Sequence, residues 1–187
     1  MHELVITPPA WIETAIDWRR RYASDDEKLD LTIALARENV ERETGGPFGA
    51  AVFEVTSGTL IAVGVNSVVR LRSSACHAEM LALMMAQSRR QSFTLAAPGL
   101  PAHELASSCE PCAMCLGATL WSGVTRLVFG AQREDAEALG FDEGPVFPDS
   151  HRYLRDRGVE IVGSVRRGEA RAVLQQYLSR GGPIYNR

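Results

Sequence analysis

Two short stretches decide the reading of this chain. One is Cys76-His77-Ala78-Glu79, which runs into the apolar segment Met80 to Ala86. The other is Glu110-Pro111-Cys112-Ala113-Met114-Cys115, which runs into Leu116 to Trp121. Each sets metal-ligating residue types at the head of a segment with helical periodicity. Zinc takes imidazole nitrogen and thiolate sulfur at tetrahedral positions, and a catalytic site keeps one position open for water. His77, Cys112 and Cys115 are the expected ligands of a Zn2+ ion, which leaves that position free. Pro111 suits the first turn of a helix, where its missing N–H has no intrahelical partner. Cys112 and Cys115 then share a face at i and i+3, and the positive end of the helix dipole favours thiolate there. Glu79 follows His77 by two residues, so it reaches a metal-bound water only if the end of its helix, not the side, lines the site.

Taken singly, these motifs are weak, because C-x-x-C also serves as a redox pair or as half of a zinc ribbon. A ribbon needs a second C-x-x-C, which the remaining cysteines, Cys76 and Cys109, do not supply. A redox pair leaves His77 and Glu79 without a task. Joined, H-x-E and P-C-x-x-C form the signature of zinc-dependent deaminases. In that chemistry zinc lowers the pKa of water to about 7, and a carboxylate carries protons to the ring nitrogen and the leaving amine.

The length of 187 residues fits a single domain over 1–187, large enough to bury a core without disulfides. Four cysteines in no framework spacing point to a reducing compartment, and the cytoplasm is the expected location. No apolar run reaches membrane-spanning length. A net charge of −3, with arginine clusters that are short and scattered, argues against nucleic acid as a partner.

Read in order, Leu4-Val5-Ile6 is extended, and Trp11 to Trp18 has the spacing of a short helix within an N-terminal extension, 1–23. Ser24-Asp25-Asp26-Glu27 starts a helix that Gly45-Gly46-Pro47 ends. Phe48–Phe53 and Leu60–Val65 read as a hairpin, and Asn66–Ser74 as a loop or strand end. Strands follow near Glu104–Ser108, Thr125–Ala131 and Val159–Val165. Helical segments follow near Glu134–Leu139, 149–157 and Glu169–Leu178, and a C-terminal tail occupies 179–187. Strands alternating with helices predict an α/β fold, a layered sheet with helices on both faces.

At this point the chain resembles the cytidine-deaminase-like superfamily and, more narrowly, is similar to bacterial guanine deaminases of that fold. The residues that carry the resemblance are Gly45-Gly46-Pro47-Phe48-Gly49-Ala50, Asn66, His77-Ala78-Glu79, Glu110 to Ala118, Trp121 and Phe141-Asp142-Glu143. The resemblance implies a three-layer α/β/α sandwich around a five-stranded mixed sheet. It also implies a homodimer whose swapped C-terminal tail brings Tyr185 to the partner's site. Asn66 would hydrogen-bond a nucleobase, Phe48 and Trp121 would pack on its ring, and Ala78 would offer its N–H. Glu79 would be the general base, and Glu143 would aid loss of the amine. A small-molecule nucleobase, guanine above others, is the expected substrate. An s-triazine such as ammeline, cytosine, a pterin and the adenosine of a tRNA are the alternatives.

Overall fold

The structure is a computed structural model that describes residues 5–185. Leu4 and the final pair Asn186-Arg187 lie outside the described residues. In chain order the elements are α1 (Trp11–Ala15), α2 (Asp25–Glu41), β1 (Gly49–Glu54), β2 (Leu60–Val65), α3 (Val68–Leu71) and α4 (Ala78–Arg90). They continue with β3 (His103–Cys109), α5 (Ala113–Ser122), β4 (Arg126–Ala131), α6 (Arg133–Glu137), α7 (Pro148–Arg155), β5 (Glu160–Val162) and α8 (Arg167–Ser179).

The five strands form one mixed sheet in the order β2-β1-β3-β4-β5. The hairpin partner β2 and the central β3 both run antiparallel to β1, whereas β3, β4 and β5 run parallel. Alternation along the strands sorts side chains to two cores. Ala51, Phe53 and Val128 join α2 and α8 on one face, and Ala50, Val52, Leu105, Leu127 and Phe129 join α4 and Leu116 of α5 on the other. This is the expected three-layer sandwich. Burial of each large apolar side chain contributes about 1.5–3 kcal/mol, so the two clusters supply the driving force for both helix layers.

Local sequence explains most boundaries. Ser24 and Glu27 form a reciprocal capping box that starts α2, whose core face carries Leu29, Ile33, Leu35, Ala36 and Val40 as its spacing predicts. The helix stops earlier than Gly45, because Glu43 turns left-handed (φ 57°). Three expectations change. The stretch 66–74, expected as a loop or strand end, contains the one-turn helix α3. The Trp11–Trp18 helix is only five residues long and opens at Ile16, leaving Trp18 stacked under the Arg89 guanidinium at 4.1 Å. The strand expected over 159–165 shrinks to three residues. It pairs with β4 alone at the sheet edge, and Ser164 and Arg166 beyond it adopt positive φ.

Candidate active site

The residues of the two opening stretches meet at paired helix ends. His77 and Cys112 are the N-cap residues of α4 and α5, both with extended backbone angles. A cap residue in that conformation throws its side chain off the end of the helix instead of down its flank. Glu79 and Cys115 sit within the first turns that follow. It is therefore the helix ends that line the site, as the role expected of Glu79 requires. Pro111 differs from expectation: it precedes the cap and lies outside α5.

His77 Nδ1 lies 3.6 Å from Cys112 Sγ and 3.7 Å from Cys115 Sγ, and the three donor atoms all fall within 4.8 Å of one another. A tetrahedral zinc with its usual bond lengths separates nitrogen from sulfur by about 3.6 Å, so the donor set fits the ion in both type and spacing. The Cys112 thiol is pulled down to about 4, first by its hydrogen bond with Cys115 and then by His77, against the effect of burial. The Cys115 thiol is pushed up, by the same hydrogen bond and by burial. The shared hydrogen bond and the His77 ring favour thiolate in the pair, the form in which cysteine ligates a metal. Burial opposes a charged His77, but Cys112 and Glu79 outweigh it and raise the ring's affinity for a proton.

Three carboxyl groups line the cavity; Glu110 is tied back by the Arg133 N–H at 3.1 Å, which leaves Glu79 and Glu143. Glu79 is buried, accepts from Ser107 Oγ at 3.2 Å, and is shifted upward by burial and by the Cys112 charge. Glu143 comes from the loop between α6 and α7. Its carbonyl accepts from the Ala113 N–H at 3.0 Å, which pins the loop to the α5 N-terminus. Burial, with the nearby Cys112 and Glu79 charges, pushes its pKa up to about 8, which favours the protonated carboxyl.

Phe48, Asn66, His77, Glu79, Glu110, Cys112, Phe141, Glu143 and Tyr185 line this cavity, whose free volume of about 20 Å³ is roughly that of one water. Asn66 is buried, its Oδ1 accepts from the Val68 N–H, and its Nδ2 has no partner among the described residues. The Tyr185 hydroxyl is likewise buried without a partner among the described residues. Its ring meets Phe141 edge-on at 5.1 Å, and Phe141 meets Phe48 at 5.2 Å. Gly46 makes the seat for Tyr185, since a Cβ there would fall 2.3 Å from the tyrosine oxygen.

Seven of the expected site residues thus stand at the cavity wall, and Cys115 lies against two of them, His77 and Glu79. Ala78 is the first residue of α4 and fully buried, where its N–H lacks an intrahelical partner. Trp121 departs from expectation. It lies in the last turn of α5, about 13 Å along the axis from Cys112 at about 1.5 Å per residue, and is 80% exposed. It packs on no ring in this cavity. Within this single chain Tyr185 stands at the wall of its own cavity. Glu110 and Phe141 were not singled out as site residues from sequence. Glu110 directly precedes Pro111-Cys112, and Phe141 stands two residues before Glu143, so position in the motif was the available signal.

Residues 23–131 match the model of the cytidine and deoxycytidylate deaminase zinc-binding region. The chain belongs to this deaminase family. Among relatives of the family, the guanine deaminase of Bacillus subtilis is 34% identical over 131 residues, 70% of this chain and 80% of its own length. A solved guanine deaminase from Nitrosomonas europaea is 44% identical, with a TM-score of 0.90 over 95% of this chain and 97% of that one. A solved chain in complex with 2,6-diaminopurine is also 44% identical, with a TM-score of 0.92 over 98% of this chain and 97% of that one. The protein is a zinc-dependent deaminase, and no helix among the described residues is long and apolar enough to cross a membrane.

Proposed function

We propose that this enzyme converts free guanine and water to xanthine and ammonia. The observation that carries the reading is one buried cavity in which a His-Cys-Cys donor set meets two carboxyl groups and the unpaired Nδ2 of Asn66. Zinc, when bound by His77, Cys112 and Cys115, lowers the pKa of water to about 7. Glu79 takes a proton from the water that attacks C2 and delivers it to the adjacent ring nitrogen. Glu143, whose protonated form burial favours, gives its proton to the departing amine as the C2–N bond breaks, and the proton lost by the C2 hydroxyl as it becomes the carbonyl restores the carboxyl. Asn66 donates from Nδ2 to the base carbonyl, Phe48 stacks on the ring, the Ala78 N–H faces a ring substituent, and Tyr185 seals the wall against water. The cavity has room for only about one water, so its wall moves to admit a base. The net negative charge and the short, scattered arginine clusters weigh against tRNA and for a free base. We further propose a cytoplasmic homodimer.

The test is ammonia release by the zinc-loaded protein across guanine, adenine, cytosine, ammeline, pterin and tRNA. Guanine should give equimolar xanthine and ammonia. Glu79→Gln should retain zinc and lose activity by about 10³-fold or more, and Glu143→Gln should lose about 10²-fold or more. A wild-type protein that releases ammonia only from another substrate refutes the guanine assignment. A fully active Glu79→Gln refutes the proton route.

A further inference from the structure

The N-terminal extension lies outside the segment that matches the family model, which begins at residue 23. It nevertheless reaches the active site through three hydrogen bonds in series. Trp11 Nε1 donates to Thr44 Oγ1 at 3.0 Å, and Thr44 Oγ1 donates to Asn39 Oδ1 at 2.7 Å. The fully buried Asn39 then donates from Nδ2 to two backbone carbonyls, Gly46 O at 2.8 Å and Asn66 O at 2.9 Å.

Every proton in this series has a forced direction. An indole nitrogen only donates, so Thr44 accepts from it and turns its single hydrogen toward Asn39. Carbonyl oxygens only accept, so the amide group of Asn39 must present its NH2 to Gly46 and Asn66 and its oxygen to Thr44. The two carbonyls belong to the segments that build the substrate wall. Asn66 carries the unpaired Nδ2, and Gly46 seats the Tyr185 ring. The segments are held to each other by the Asn66 N–H donating to Phe48 O at 3.0 Å. They approach so closely that a Cβ on Gly45 would fall 1.9 Å from Asn66 O. A second tie from the extension runs alongside, with Arg70 Nη2 donating to Thr7 O at 2.6 Å and to Ser67 Oγ at 3.0 Å.

We propose that Trp11, Thr44 and Asn39 are positioning residues that let the N-terminal extension set the Asn66 and Tyr185 wall of the nucleobase pocket. The proposal rests on the pocket assignment given under Proposed function. These groups hold the base in the ground state and the transition state alike, so loosening them raises KM and leaves kcat nearly unchanged.

Thr44→Val removes the hydroxyl and keeps the volume, whereas Thr44→Ser keeps the hydroxyl. In the zinc-loaded protein, Thr44→Val should raise KM for guanine about tenfold with kcat within about twofold, and Thr44→Ser should match the wild type. Hydrogen exchange reads the same device without substrate: amides in 45–48 and 66–70 should exchange faster in Thr44→Val and normally in Thr44→Ser. A Thr44→Val protein with wild-type KM, or equal defects in both variants, overturns the proposal. If the wild type does not turn over guanine, the substrate reading fails on its own. The exchange result still decides the positioning role, with unchanged exchange in Thr44→Val overturning it.

Discussion

Asp25 grips Arg126 through parallel hydrogen bonds of 2.7 and 2.8 Å, and so ties the first turn of α2 to the start of β4. Behind this pair Glu104 is fully buried, with Arg126 at 2.8 Å and Lys28 at 2.6 Å. Arg126 also meets the exposed Glu160 at 3.2 Å, so two cations face three carboxylates, and removing Asp25 costs Arg126 its two-pronged, charge-assisted partner. The Arg126 hydrogen bonds hold the Asp25 carboxyl below its ordinary 3.8. A depressed acid stabilises the fold fully above its unfolded pKa and loses that contribution as pH falls through the folded value. Asp25→Asn should therefore cost about 1–3 kcal/mol near neutral pH. The gap to wild type should stay level down to about pH 4 and close below it. Urea midpoints measured across that range check this, and a gap that widens on acidification would contradict the charge argument. Lys28 and Glu104 were not legible in sequence as a buried pair, since a charged residue on a helix reads as solvent-facing until its partner is known. The zinc ligands were legible because their chemistry is confined to a few residue types at fixed spacing.

At the level of elements, α4 and α5 present both donor sets from their N-termini, which explains why one motif opens on a histidine cap and the other on a cysteine cap. Periodicity revealed these helices and the β1–β2 hairpin, whose burial follows directly from apolar pattern. It did not reveal that β5 is a three-residue edge strand, because positive-φ residues outside glycine leave no clear mark in composition. Nor did it place Trp121, whose family motif suggested a pocket while the helix carries it away to solvent. That exposed indole shares α5 with Met114, which is 38% exposed, and tryptophan and methionine are enriched at protein contacts. The proposed homodimer uses this face. Trp121→Glu should shift sedimentation at micromolar concentration from dimer to monomer while the isolated fold survives. A wild type that sediments as a monomer, or a variant that stays dimeric, removes α5 from the interface.

For the molecule as a whole, the question is what the metal contributes beyond chemistry. A small zinc finger unfolds without its ion because it has little else to bury. Here the apolar clusters on the two faces of the sheet contain none of His77, Cys112 or Cys115, and a chain of this length buries most of its surface without help. The donor set joins two helix ends at the rim of one cluster, so zinc adds linkage energy to a fold that already stands. Stripping the protein with a strong chelator should abolish deamination and leave the far-ultraviolet helix signal intact. The melting temperature should fall by about 5–10 °C, the shift that a few kcal/mol of ligand linkage gives at this size. Re-addition of zinc should restore activity and melting temperature together. Loss of the helix signal on chelation would instead make the ion a structural element, and the separation between core and donor set drawn from the fold would be wrong.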